Sequence, residues 1–257
     1  MKRIILMLIL AGITRAALVT DLIGSGDMDK LINMTSRNFD PSSSYNYVFG
    51  SRSRDITDGS DFQAVRDAFS TWIDEPSSAL SAAEVSGYSY RPNRYNGLNE
   101  VSWINPSSDG SDVWSDILGL NHTSLATVVT WYRASTGRVL ERDLYFNNVD
   151  YHWRTDTDGR QVGGFYVESV ALHEIGHIFG LKDLYNPGQF GWEKWMGSGN
   201  EDYTMYGYTS WTDEDVILGT IDIAAMALLH PSSSVPEPDS ISLMTLAAGV
   251  FLVVRRR

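Results

Sequence analysis

His173-Glu174-Ile175-Gly176-His177-Ile178-Phe179-Gly180-Leu181-Lys182-Asp183 brings two imidazoles, two carboxylates and two glycines into eleven residues. In a helix, positions i and i+4 lie one above the other, so His173 and His177 can each offer a ring nitrogen to one tetrahedral cation, for which zinc is the usual occupant. Glu174 is too close in sequence to be a third ligand on that face. It can instead reach a water molecule activated by the ion and accept its proton. Gly180 sharpens the motif, because glycine adopts the left-handed backbone that turns a chain sharply after a helix. That turn can bring Asp183 back to the ion, where a carboxylate is a competent ligand.

The pattern H-E-x-x-H-x-x-G-x-x followed by a third ligand, with a methionine turn downstream, resembles the metzincin clan of zinc peptidases. Most of that clan has histidine at the third ligand position, and this chain has Asp183, as a minority do. In metzincins a tight turn sets a methionine beneath the metal-binding histidines as an apolar floor. Within Asp202-Tyr203-Thr204-Met205-Tyr206-Gly207-Tyr208, Met205 looks like that residue, 22 positions beyond Asp183, with a structural role. Tyr206 and Tyr208 flank it, and the resemblance makes both candidate oxyanion stabilisers, with ordinary packing as the alternative for each. A gluzincin-like scheme would recruit Glu193 or Glu201 as third ligand; Gly180 and Met205 argue against it.

The rest of the body fits such a domain. Ser60-Asp61-Phe62-Gln63 has the form of a capping box, and Phe62, Val65, Phe69, Trp72 and Ile73 recur at helical spacing, predicting a helix over about 61–73. Tyr45, Tyr47 and Phe49 alternate as in a strand, and further strands are predicted over 101–104, 126–133 and 138–146. Ser135-Thr136-Gly137 marks a tight connection between the last two. The active-site helix is expected over 165–179, and an apolar helix over 221–229 that stops before Pro231. This order, with segments such as Ala68-Phe69-Ser70-Thr71-Trp72 and Asp222-Ile223-Ala224-Ala225-Met226, is similar to a bacterial matrixin-type domain over residues 43–231. The resemblance implies an α+β fold: a twisted mixed sheet with three main helices, the active-site helix and the methionine turn. The substrate cleft is then expected between the sheet's edge strand and the segment after Met205. Asp156, Asp158 and Gly159 form a D-x-D-G cluster where matrixins carry structural calcium; two carboxylates and a turn leave calcium and a solvated loop both open. His122, His152 and His230 lack ligand spacing and read as surface or packing residues.

Both ends read as targeting segments. Lys2 and Arg3 precede an apolar run from Ile4 to Ile13, with Ala16 at a cleavage position, so residues 1–16 read as a secretory signal peptide. Residues 17–42 are then an N-terminal segment or short prosegment. Residues 232–257 contain Pro236-Glu237-Pro238, an apolar run from Ile241 to Val254 and Arg255-Arg256-Arg257. The series resembles the bacterial PEP-CTERM sorting signal, which implies an exosortase-type partner and transient membrane association; a plain membrane anchor is the alternative. That run is shorter than the ~20 residues of a comfortable span.

Six of the 20 basic residues lie in these ends, against 32 acidic residues overall, so the stretch between them is more acidic than the whole-chain charge of −12. That sign disfavours nucleic acid as a partner. With no cysteine, the chain has neither disulfides nor a thiol to block a zinc ion. The expectation is an exported or cell-surface zinc endopeptidase acting on polypeptide. The alternative is a non-catalytic envelope or biofilm-matrix protein using the same scaffold for binding, which the retention of Glu174 beside both histidines disfavours.

Overall fold

The computed structural model describes residues 44–156, 163–184, 203–207, 209 and 213–232. The chain order is β1 (Ser44–Phe49), α1 (Ser60–Ile73), β2 (Ser81–Glu84), β3 (Asn99–Ile104), α2 (Val113–Leu118), β4 (Ala126–Tyr132), β5 (Val139–Asn147), β6 (Trp153–Arg154), β7 (Phe165–Tyr166), α3 (Val167–Ile178) and α4 (Thr220–Leu229). The fold is α+β, built on a mixed sheet of order β2-β1-β3-β5-β4 in which β4 alone runs antiparallel to its neighbour.

Strand periodicity accounts for the core. Tyr45, Tyr47 and Phe49 leave β1 on one face, where Tyr47 stacks on Phe69 at 4.5 Å between ring centroids and Phe49 on Phe62 at 4.0 Å. Both partners belong to α1, whose buried side chains include Val65, Ala68, Phe69 and Trp72. From the same face of the sheet, Val101, Trp103, Leu144 and Phe146 join this core, and α3 packs beside α1 within it. The Trp72 indole Nε1 donates to Leu172 O at 2.9 Å, tying the last turn of α1 to the middle of α3.

The expected capping box does not form. Ser60 already lies in the helix behind Gly59, which has φ 93°, and Asp58 is the acceptor for the Ser60 N–H at 3.0 Å. Gln63 turns instead to Asp67. The strands over 101–104, 126–133 and 138–146 match β3, β4 and β5 within two residues at each end. Their tight connection closes through Gly137, at φ 69°, with Arg133 N bonded to Arg138 O at 2.8 Å. Four short elements, β2, α2, β6 and β7, lie outside the expected set. β2, Ser-Ala-Ala-Glu, lacks the β-branched and aromatic residues that mark a strand, and its pairing with β1 forms it.

Helix α4 closes the fold. Its Ile221, Ala224, Ala225 and Met226 are buried, and His230 donates a ring N–H to Phe179 O at 2.7 Å, joining the end of α4 to the end of α3. His230 is thus a packing residue, as expected. The signal-peptide, prosegment and sorting-tail assignments lie outside the described residues.

Candidate metal centre

Helix α3 ends in a way that explains the spacing of its metal-ligand motif. Phe179 caps the helix, Gly180 follows with φ 104°, its N–H bonds to His177 O at 3.0 Å, and Leu181 N–H reaches back to Gly176 O at 2.9 Å. This double bond pattern with a left-handed glycine is the Schellman motif, and it reverses the chain within two residues. Asp183 returns to the helix as the sequence predicts.

The three side chains meet there. Asp183 Oδ1 lies 3.2 Å from His173 Nε2 and 3.1 Å from His177 Nε2, and the three ligand atoms lie within 4.8 Å of one another. Both Nδ1 atoms are engaged elsewhere: His173 Nδ1 with Thr204 O at 2.8 Å and His177 Nδ1 with Leu181 O at 3.0 Å. Because carbonyls only accept, each Nδ1 carries a proton, so in the neutral ring that a cation would require the Nε2 lone pair is the one turned to the common centre. This group could hold a metal ion, and it is the one such group among the described residues. Burial disfavours the His173 imidazolium, but the Asp183 carboxylate against it prevails and holds the ring's pKa up at about 9. Asp183 is partly buried, which opposes its charge, yet the two imidazoles hold it far below the usual carboxylate range.

Glu174 is buried at the same point of α3, and its Oε2 has no hydrogen-bond partner. Burial raises its pKa, opposed by His177 and His173. A carboxylate so placed is a strengthened base.

Met205 packs directly beneath this turn of helix. It is fully buried, and a Cβ built on Gly176 would lie 2.2 Å from its sulfur and 3.3 Å from Trp72. Glycine inside a helix costs about 1 kcal/mol relative to alanine; here it makes room for the methionine between the two histidines. The turn carrying Met205 is held by Leu184 N–H to Met205 O at 2.7 Å and by the Asp222 carboxylate, which accepts from Thr204 N at 2.8 Å, Met205 N at 3.2 Å and Gly219 N at 3.1 Å. Burial pushes Asp222 up to about 6 despite these three donors. The same Thr204 whose N–H is held by Asp222 offers its carbonyl to His173, so α4 steadies a candidate ligand through one residue.

Two supports escaped the sequence reading, Gly176 as the seat of Met205 and Asp222 as the anchor of its turn. The signal for the first was a mid-helix glycine in an otherwise strong helix former. The second carried none beyond its place at the start of α4, because its partners lie 17 and 18 residues away in sequence. Tyr206 is buried beside Leu184, with which it forms a bridge, while Tyr208 lies outside the described residues. Glu193, Glu201 and Asp158 also lie outside them. Asp156 accepts from Arg154 through its main-chain oxygen and joins no metal-capable group among the described residues. His122 bridges Asp112 and Asp150, and His152 pairs with Asp55, both at the surface as expected. No family model matches the sequence, and no curated protein matches it.

Proposed function

We propose that this chain is a zinc endopeptidase of matrixin-like metzincin type, exported to the cell surface. The observation that carries the reading is the convergence of His173 Nε2, His177 Nε2 and Asp183 Oδ1 with both Nδ1 atoms already committed to carbonyls. The fit is chemical as well as spatial. Two nitrogens and one oxygen are a common zinc donor set, and the three atoms lie within 4.8 Å of one another. A zinc ion bound there would be held by His173, His177 and Asp183 and would supply Lewis acidity toward a peptide carbonyl and a water molecule.

The chain's own residues supply the rest. Glu174 Oε2, unpartnered and raised in basicity by burial, takes a proton from the attacking water and hands it to the departing amine nitrogen. Met205 and Gly176 keep the histidine-bearing turn of α3 fixed from below. The β4 strand, last in the sheet, offers its outer backbone groups to an extended substrate. Tyr206 remains a candidate stabiliser of developing negative charge, and Tyr208 stands beside it on sequence alone. Export and sorting rest on the sequence of residues 1–16 and 232–257, with an exosortase-type enzyme as partner. Calcium at Asp156 and Asp158 rests on sequence alone.

Metal analysis combined with peptide cleavage tests this. The purified protein is expected to hold one zinc and to cleave unfolded polypeptide in a chelator-sensitive manner. Glu174→Gln should keep the zinc and lose about 10²-fold or more in turnover, since it removes a base and not a ligand. Asp183→Ala should lose zinc affinity. Cleavage at the wild-type rate by Glu174→Gln refutes the role given to Glu174. Undiminished zinc affinity in Asp183→Ala moves the third ligand to Glu193 or Glu201.

A further inference from the structure

Four of the described arginines are ion-paired: Arg52 with Asp61, Arg54 with Asp55, Arg66 with Glu84 and Arg154 with Glu214. Four exposed arginines are different. Arg91 and Arg94 lie in the connection between β2 and β3, Arg133 and Arg138 at the turn between β4 and β5, and among the described residues no side chain pairs with any of them. In a chain of net charge −12 such a group of unmatched cations is conspicuous.

The two pairs share one surface. Tyr95, beside Arg94, sets its ring 6.3 Å from that of Trp131 on β4. The next two residues, Asn96 and Gly97, donate their N–H groups to Glu141, which faces Trp131 across the β4–β5 ladder. Arg133 follows Trp131 by two residues and bonds main chain to main chain with Arg138. Tyrosines are exposed around these arginines, Tyr88 at 70%, Tyr132 at 57% and Tyr95 at 55%, with Leu98 at 43%.

The carboxylates under this surface are buried and turned to other donors, not to the arginine side chains. Glu100 accepts from Ser89 Oγ, Arg91 N, Asn96 Nδ2 and Tyr145 OH, all beneath the connection, and Glu141 accepts from Asn96 N and Gly97 N. Asp143, in the same layer, is pushed up by burial, which favours its neutral form. The outward charge belongs to the arginines.

We propose that this surface docks an acidic polypeptide segment, its carboxylates on Arg91, Arg94, Arg133 and Arg138 and its backbone along β4. Arginine clusters bind carboxylates through forked, charge-assisted hydrogen bonds, and tyrosines add apolar contact with a hydroxyl at the rim. The adjoining strand selects a polypeptide. β4 is the last strand of the sheet, and a row of backbone donors and acceptors is matched by another extended chain and by neither a sugar nor a nucleotide. Nucleic acid is further opposed by the acidic body, which repels a polymer carrying a charge every ~1.7 Å. The strand edge is the one the peptidase reading gives to the substrate, so the inference deepens that reading by naming an acidic chain as its class, while docking itself needs no bond to be cut.

The test measures binding of a fluorescent dodecapeptide of alternating glutamate and valine to the full-length Glu174→Gln protein, which leaves the peptide intact under the peptidase reading. The glutamine-valine peptide is the control. The glutamate peptide should bind at least about tenfold more tightly, and raising salt from about 0.05 M to about 0.5 M should erase most of that difference. Each of the double variants Arg91→Ala/Arg94→Ala and Arg133→Ala/Arg138→Ala should weaken binding about fivefold or more with an unchanged melting temperature. Equal binding of the two peptides, or indifference to both double variants, overturns the proposal. So does more effective displacement of the peptide by a polyuronate or a single-stranded oligonucleotide of equal charge than by unlabelled glutamate peptide, for then the surface reads charge and not a polypeptide chain. A protein that binds the peptide yet never cleaves polypeptide in its wild-type form would fail the peptidase reading and leave this one standing.

Discussion

The two faces of the central sheet are both buried, one by an apolar core alone and the other by a smaller apolar cluster beside a layer of carboxylates. The face toward α1 and α3 carries Val101, Trp103, Leu144 and Phe146, and Trp103 stacks on Phe146 at 4.5 Å. The other is divided: Ile104 and Tyr145 form a second apolar cluster with Trp114 of α2, while Glu100, Ser102, Glu141 and Asp143, all buried, lie beside it near the connection from Val85 to Leu98. Apolar burial is strong and non-directional, and it suits a rigid helix that presents a whole stripe of side chains. A coil has no such stripe, and its N–H groups need acceptors. Glu100 and Glu141 provide them for Arg91, Asn96 and Gly97. The contrast teaches that the packing of α3 on α1 and the sheet is apolar and insensitive to pH, while the connection across the opposite face is tied down in part by ionisable groups.

The largest expected effect lies on the apolar side. Trp72 is fully buried between α1 and α3 and its indole bonds to Leu172 O one residue before His173. Trp72→Ala should cost about 3–5 kcal/mol in urea unfolding. On the other face, Tyr145→Phe removes one hydroxyl, bonded to Glu100 at 3.2 Å, for about 1 kcal/mol. Similar losses from the two changes would break the contrast between the faces.

A smaller effect sharpens it at the candidate centre. In Gly176→Ala the new methyl meets the Met205 sulfur at 2.2 Å, and overpacking of this kind costs about 1–3 kcal/mol, offset by about 1 kcal/mol of gained helix propensity. A net loss of about 1–2 kcal/mol and a zinc affinity lower by about tenfold are expected. Adding Met205→Ala should restore part of both by vacating the space. If Gly176→Ala is as stable and binds zinc as tightly as the parent, Met205 does not press on the helix there.

What the sequence disclosed follows the range of the interactions. The ligand geometry was legible because it is local: His173 and His177 are one helical turn apart, and the return to Asp183 depends on Gly180 alone. Periodicity revealed β1, α1, β3, β4, β5, α3 and α4 for the same reason. Gly176 against Met205 and Asp222 against Thr204 were not legible, since each joins segments whose proximity is set by the whole fold. The acidic layer shows a further limit. Alternation along β3 and β5 put Glu100, Glu141 and Asp143 on the side away from Val101 and Leu144, where polar residues normally meet water. Alternation tells which side a residue takes and is silent on whether a coil then covers it.

The smallest expected effect comes from that covered layer. Burial raises Asp143 to about 8, with Glu141 and Glu100 adding to the rise and the Glu100 N–H at 2.9 Å opposing it. Its unfolded value is near 3.8. Between these values the folded chain holds a proton that the unfolded chain has released, so stability falls as pH rises through about 8 and levels off above it. The loss attributable to this group is about 1 kcal/mol between roughly pH 7 and pH 9. Asp143→Asn mimics the protonated side chain in shape and cannot ionise. In urea unfolding at fixed zinc, the parent should weaken over that interval and the variant should weaken less by about that amount. Equal slopes would refute the assignment of this proton to Asp143.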